Sequence, residues 1–229
     1  WPLSRVGAPT PETPPSSDPA VLRKLAGAWG LERREAPPGA VVEEFADGDG
    51  PLRVQVPSGL FIEVRAGSGR AGGVHDRRDA TFGGRCLAAA AGGRVTCRQL
   101  RDIDLQPPSV TLPSVQVACA PKSLEVTGSA GGDFREAWTW LGSSRNEDFA
   151  ALELVSVMPK PLLPRRGLWL FAGGRFARLL GPPRGTGLVG GTCCKSLAQL
   201  QKLRGSADVR NEAQEQYEVV VGEVAEPGL

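Results

Sequence analysis

Few residues in this chain have side chains suited to chemistry, and their spacing limits what they can do together. The single histidine, His75, precedes Asp76, and an imidazole beside a carboxylate could exchange protons. Neighbours on a strand point to opposite faces, however, and no serine or cysteine sits in a nucleophile elbow. His75 therefore reads as a solvated loop residue. Asp102 and Asp104 would share a face of a strand, the arrangement that hydrolytic carboxylate pairs need. Arg101 beside them makes a structural ion-pair ladder the better expectation. The five cysteines, Cys86, Cys97, Cys119, Cys193 and Cys194, contain no C-x-x-C spacing, and one histidine cannot complete a zinc set. Vicinal Cys193 and Cys194 would bridge only with strain. The odd count and scattered spacing predict reduced, mostly buried thiols and a reducing compartment, cytoplasm or an organelle interior. The expectation is a protein with no catalytic residues, no metal and no cofactor.

Charge is the second signal. Residues 154–207 contain nine basic residues and no acidic one, whereas residues 208–229 carry six acids against Arg210. Arg165, Arg166, Arg175 and Arg178, with Trp169, Phe171 and Phe176 among them, could grip a protein partner or an anionic surface through residues 160–204. The competing expectation is that an acidic final strand lies beside the basic hairpin and neutralises it. The overall charge of +2 gives no general reason to expect nucleic acid or membrane. No apolar run approaches the roughly 20 residues of a membrane-spanning helix.

The elements that must position these residues are short. Residues 1–19 are rich in Pro, Ser and Thr and read as a disordered leader. Asp18 and Pro19 have the chemistry of an N-cap and a first helical residue for a helix ending near Leu25. Strand patterns follow. Leu52, Val54 and Val56 alternate with Arg53 and Gln55, and Leu60, Ile62 and Val64 with Phe61, Glu63 and Arg65. Phe134, Glu136, Trp138 and Trp140 share one face of a later strand. Turn chemistry separates seven or eight such segments, enough to close a barrel. Beyond the polar residues 143–148, Gly173-Gly174 marks a hairpin, and residues 216–224 read as a final strand. Thr192 could cap a helix with a Leu197, Leu200 and Leu203 stripe. The division is a leader at 1–19, a barrel at 20–142 and a second β-rich domain at 149–229.

The segment Gly27-Ala28-Trp29 with Arg33-Arg34 resembles the opening strand of lipocalin-like (calycin) barrels. There a tryptophan plugs the closed end and a basic side chain covers its ring. With Pro57-Ser58-Gly59-Leu60-Phe61, Phe82-Gly83-Gly84-Arg85, Arg101-Asp102-Ile103-Asp104 and Phe134-Arg135-Glu136-Ala137-Trp138, the ordered set is similar to a poorly characterised family pairing two small lipocalin-like barrels. The resemblance implies an all-β fold: an antiparallel barrel, then a smaller β-rich barrel or half-barrel with one short helix. It implies barrel closure by Gly27, Trp29, Arg33 and Arg34, and offers no catalytic residues to carry over. The function expected is non-catalytic binding of an apolar small molecule, with Phe61, Trp138 and Trp140 as wall residues, or of a protein. The alternatives are an accessory subunit of a larger assembly, meeting its partners through the basic second domain, and a calycin-type isomerase or hydrolase.

Overall fold

Alternating apolar positions in short segments favour strands, and here they close on themselves. The computed structural model describes residues 17–36, 42–46, 50–65, 81–104, 114–128, 134–142, 148–155, 165–184, 187–189, 192–194 and 218–223. In chain order these form α1 (Pro19–Leu25), β1 (Gly27–Glu35), β2 (Val42–Glu44), β3 (Leu52–Gln55), β4 (Leu60–Val64), β5 (Phe82–Ala91), β6 (Arg94–Asp104), β7 (Ser114–Ala120), β8 (Ser123–Gly128) and β9 (Phe134–Trp140). They continue with β10 (Phe149–Val155), β11 (Arg166–Ala172), β12 (Arg175–Gly181), β13 (Gly187–Val189), β14 (Thr192–Cys194) and β15 (Glu218–Glu223).

Antiparallel pairing runs β1-β3-β4-β5-β6-β7-β8-β9 and returns from β9 to β1, so eight strands close a barrel. The short β2 adds to the far half of β1. One end of the barrel is covered by α1. Asp18 caps it by accepting from the Ala20 amide at 2.8 Å, and Pro19 occupies its first turn. The Asp18 amide donates to the Ala88 carbonyl at 2.8 Å, which ties the helix to β5. Asp18 and Pro19 thus belong to the helix rather than to the leader, and residues 1–16 lie outside the described residues. Val21, Leu22 and Leu25 point into the barrel core with Trp29, Leu31, Phe61, Phe82 and Trp138.

A second sheet, β10-β11-β12-β15, lies on the outside of this barrel. Its inner face, including Leu168, Leu170, Ala177 and Leu179, packs on Val54, Ile62, Val64 and Ile103. Strand β4 is therefore buried on both faces, with Phe61 inside the barrel and Ile62 under the second sheet. A Cβ at Gly83 would meet Leu179 at 3.0 Å and Leu168 at 3.1 Å, so the bare backbone there lets the sheet come close. Arg85–Glu153 at 3.1 Å and Arg166–Asp102 at 3.4 Å border this seam. Among the described residues the second unit is an open four-stranded sheet rather than a barrel, with β13 and β14 as a separate hairpin. Thr192, expected as a helix cap, begins β14 instead, while Leu197, Leu200 and Leu203 lie outside the described residues. No described helix is long and apolar enough to cross a membrane.

Candidate functional site

The barrel interior is divided by residue type. Towards α1 it is aromatic. Trp29 is 1% exposed, and its indole Nε1 donates to the Leu25 carbonyl at 3.0 Å, satisfying a helix-end acceptor. Its ring meets Trp140 edge to face at 4.9 Å. Gly27 makes this contact possible: its φ is +147°, and a Cβ would overlap the Trp140 ring. Arg33 and Arg34 do not cover Trp29. A register shift between Leu31 and Arg33 carries them past the ring, where Arg33 pairs with Glu35 at 2.8 Å and Arg34 approaches Glu136 at 3.6 Å. The hydrophobic face of α1 takes the covering role. Phe61 and Trp138, two of the expected ligand-wall residues, are fully buried in the packed core, while Trp140 is half-buried at its margin.

Further from α1 the interior is ionic. Glu63 of β4 is 1% exposed and held by Arg65, at 2.6 Å, and by Arg53, at 3.2 Å. Arg65 crosses to Glu136 of β9 at 3.0 Å, and Glu136 also accepts from the Trp138 indole at 3.2 Å. Arg53 donates to Gln55 at 2.7 Å and lies over the Phe61 ring. Burial pushes the Glu63 carboxyl up, but the charges of Arg65 and Arg53 and the Arg65 hydrogen bond outweigh it, so its pKa falls below the usual carboxylate value. Burial opposes the charge on Arg65 as well, yet Glu63 and Glu136 together raise its pKa. This lattice ties β1, β3, β4 and β9 together across the lumen and occupies it with the chain's own side chains. Reading the strands singly did not find it. The signal was the presence of Glu136 on one face with Phe134, Trp138 and Trp140.

Asp102 and Asp104 are not brought together. The register shift at Gly83/Gly84 places an extra residue in β6, so the two carboxylates leave the barrel wall on opposite sides. Asp102 faces Arg166 of the second sheet, and burial raises its pKa. Asp104 is buried and held by Arg101, whose guanidinium stacks on Phe82 at 3.6 Å. Cys86 and Cys97 are buried free thiols on neighbouring strands, and Cys119 is exposed and free. A hydrogen bond from Cys97 brings the Cys86 thiol down to about 7, against burial and with help from Arg53. His75 lies outside the described residues, as do the side chains of Cys193 and Cys194. Among the described residues no three His, Cys, Asp or Glu side chains are grouped to hold a metal ion.

The basic residues of the second sheet have carboxylate neighbours. Strand β15 pairs with β12, bringing Glu223 to Arg175 at 2.6 Å and Glu218 to Arg178 at 3.0 Å. Arg178 also lies over Trp169, Arg166 faces Asp102, and Arg165 is exposed just before β11. Deleting residues 208–229 removes β15, uncovers the β12 edge and leaves the nine basic residues of 154–207 without these acids. The truncated protein is expected to bind a heparin column at physiological salt and the full-length protein to pass through. Equal retention of both forms contradicts internal neutralisation.

What remains is the sheet's outer face. Across it Leu152 pairs with Trp169, Trp169 with Arg178, and Arg178 with Val220. A parallel row joins Ala150, Phe171, Phe176 and Gly222, and another joins Leu154, Gly167, Leu180 and Glu218. The only charges among these twelve positions, Arg178 and Glu218, pair with each other. Leu152 is 59% exposed, Leu154 40%, Trp169 39% and Val220 38%. A solvent-facing antiparallel sheet ordinarily alternates apolar with polar positions, and this one does not. No family of known proteins, no curated protein and no solved structure matches the chain. The class of protein is set by its geometry alone: a closed eight-stranded antiparallel barrel carrying a smaller sheet on its wall.

Proposed function

We propose that the protein is a non-catalytic, lipocalin-like barrel that serves as a protein-interaction module, presenting the outer face of its second sheet to a protein partner. The observation that carries this reading is the exposed row Leu152, Trp169 and Val220, set among twelve described positions whose only two charges pair with each other. The barrel supports it as scaffold. Its aromatic layer is packed and its ionic layer is internally paired, which favours a structural use of the lumen over carriage of an apolar ligand there. In an accessory subunit of a larger assembly, the contact surface would be this apolar face rather than the arginines expected from the sequence. Strand β10 strengthens the case: it is an edge of the sheet, and residues 150–154 are exposed.

The test is native mass spectrometry of the protein purified from its own source. Wild type should carry a partner above the 24.1 kDa of the chain. Leu152→Glu with Trp169→Glu should lose that partner while moving Tm by no more than about 2 °C, as surface changes do. Wild type running only as the single chain, or the double variant keeping the same partner, overturns the reading.

A further inference from the structure

The geometry points to a second site, independent of the sheet face: a groove at the α1-covered end of the barrel that takes an amphipathic carboxylate. The head of such a ligand is held by Arg23 and Lys24, and its apolar body lies on Trp140 and Phe149. The groove has a volume of about 570 Å³, within the range of small-molecule sites. Its walls come from five places that only the closed fold brings together: the last turn of α1, Trp29 and Trp140 at the barrel margin, Pro57 between β3 and β4, the end of β7 with Cys119 and the turn after it, and Phe149 at the start of β10.

The chemistry of this lining is asymmetric. Trp140, Phe149, Pro57 and Pro121 give broad apolar surface, and the already bonded Trp29 forms part of the floor. The ionisable groups are Arg23, Lys24 and the Cys119 thiol, with no carboxylate among the lining residues. Arg23 and Lys24 are exposed and have no carboxylate partner among the described residues, unlike the arginines inside the barrel, which are paired. Two cations at one rim of an apolar groove select a ligand with one anionic end. A neutral ligand of the same shape gains only the apolar contact, and a cationic one is repelled. Burial raises the pKa of the Cys119 thiol, and the charge of Lys24 offsets part of that rise.

Decanoate and decanol serve as the probes, with binding read by calorimetry and by protection of Cys119 from alkylation, mapped by peptide mass. The Cys119 readout separates this groove from the apolar sheet face, which lies elsewhere and carries no described cysteine. Decanoate should bind the full chain about tenfold more tightly than decanol, the size of effect two solvent-screened charges give. It should also slow Cys119 alkylation at the same concentrations. Arg23→Gln with Lys24→Gln should reduce decanoate binding to the decanol level and leave decanol unchanged. Equal binding of acid and alcohol, an unaffected double variant, or binding without protection of Cys119 would each overturn the proposal.

Discussion

Replacing Glu63 with alanine is expected to cost about 3–5 kcal/mol of folding stability, because it strands charges that the barrel has already taken out of water. The carboxylate is 1% exposed and receives both Arg65 and Arg53, whose side chains are only 19% and 12% exposed. Without it, Arg53 is left with Gln55, the Phe61 ring and the Cys86 thiol, and Arg65 with Glu136. Removing both members of a buried pair is often close to neutral, so Arg53→Met with Glu63→Leu should cost less than Glu63→Ala alone. The pH dependence has a definite sign. Since the folded pKa of Glu63 lies below its unfolded value, its contribution is complete above the unfolded carboxylate pKa of about 4.3 and is lost as pH falls through the folded value. The gap between wild type and Glu63→Ala in urea melts should narrow in acid and stay constant between neutral pH and the weakly acidic range. A loss below about 1 kcal/mol at neutral pH would show that the lattice is solvated.

That lattice also marks where the sequence stopped being legible. Periodicity is a property of one strand, and it showed the alternation in β3 and β4, the aromatic face of β9 and the hairpin at Gly173-Gly174. The α1 cap follows from the same kind of local signal, Asp18 and Pro19 side by side, whereas closure pairs β1 with β9 from far along the chain. Sites depend on pairs far apart. Arg65 and Glu136 meet only because β9 returns to β1, a contact between residues 71 positions apart. The side chosen by each face was equally hidden. Leu60, Ile62 and Val64 are apolar although they face outwards, since a second sheet covers them, while Glu63 and Arg65 go inside with Phe61. One extra residue in β6 was enough to send Asp102 and Asp104 to different environments, and no composition or spacing announces a bulge. The exposed row on the second sheet was invisible for a related reason. Leu152, Trp169 and Val220 sit on strands with apolar residues at both alternations, and only the packed structure shows which set is covered.

Trp29→Ala is expected to cost about 3–5 kcal/mol, the range for deleting a large buried aromatic. Three separate losses combine at this position. The ring belongs to the core shared by α1 and the barrel, so its removal opens a cavity beneath Leu22 and Leu25. The Leu25 carbonyl loses the indole hydrogen bond at the end of a seven-residue helix too short to hold itself. Trp140 loses its edge-to-face partner, and Gly27 was left bare to accommodate that ring. For a chain of this size such a loss lowers Tm by roughly 6–20 °C. Trp29→Phe separates the terms. It keeps most of the buried ring and gives up the hydrogen bond, so it should fall between wild type and alanine in chemical denaturation. Hydrogen exchange adds the structural readout: in Trp29→Ala the amides of Leu22 and Ala26, which bond within and just after α1, should lose protection before those of β4. Uniform loss of protection across helix and barrel would mean that Trp29 supports the whole core rather than the docking of α1, and a stability change under about 1 kcal/mol would remove it from the core altogether.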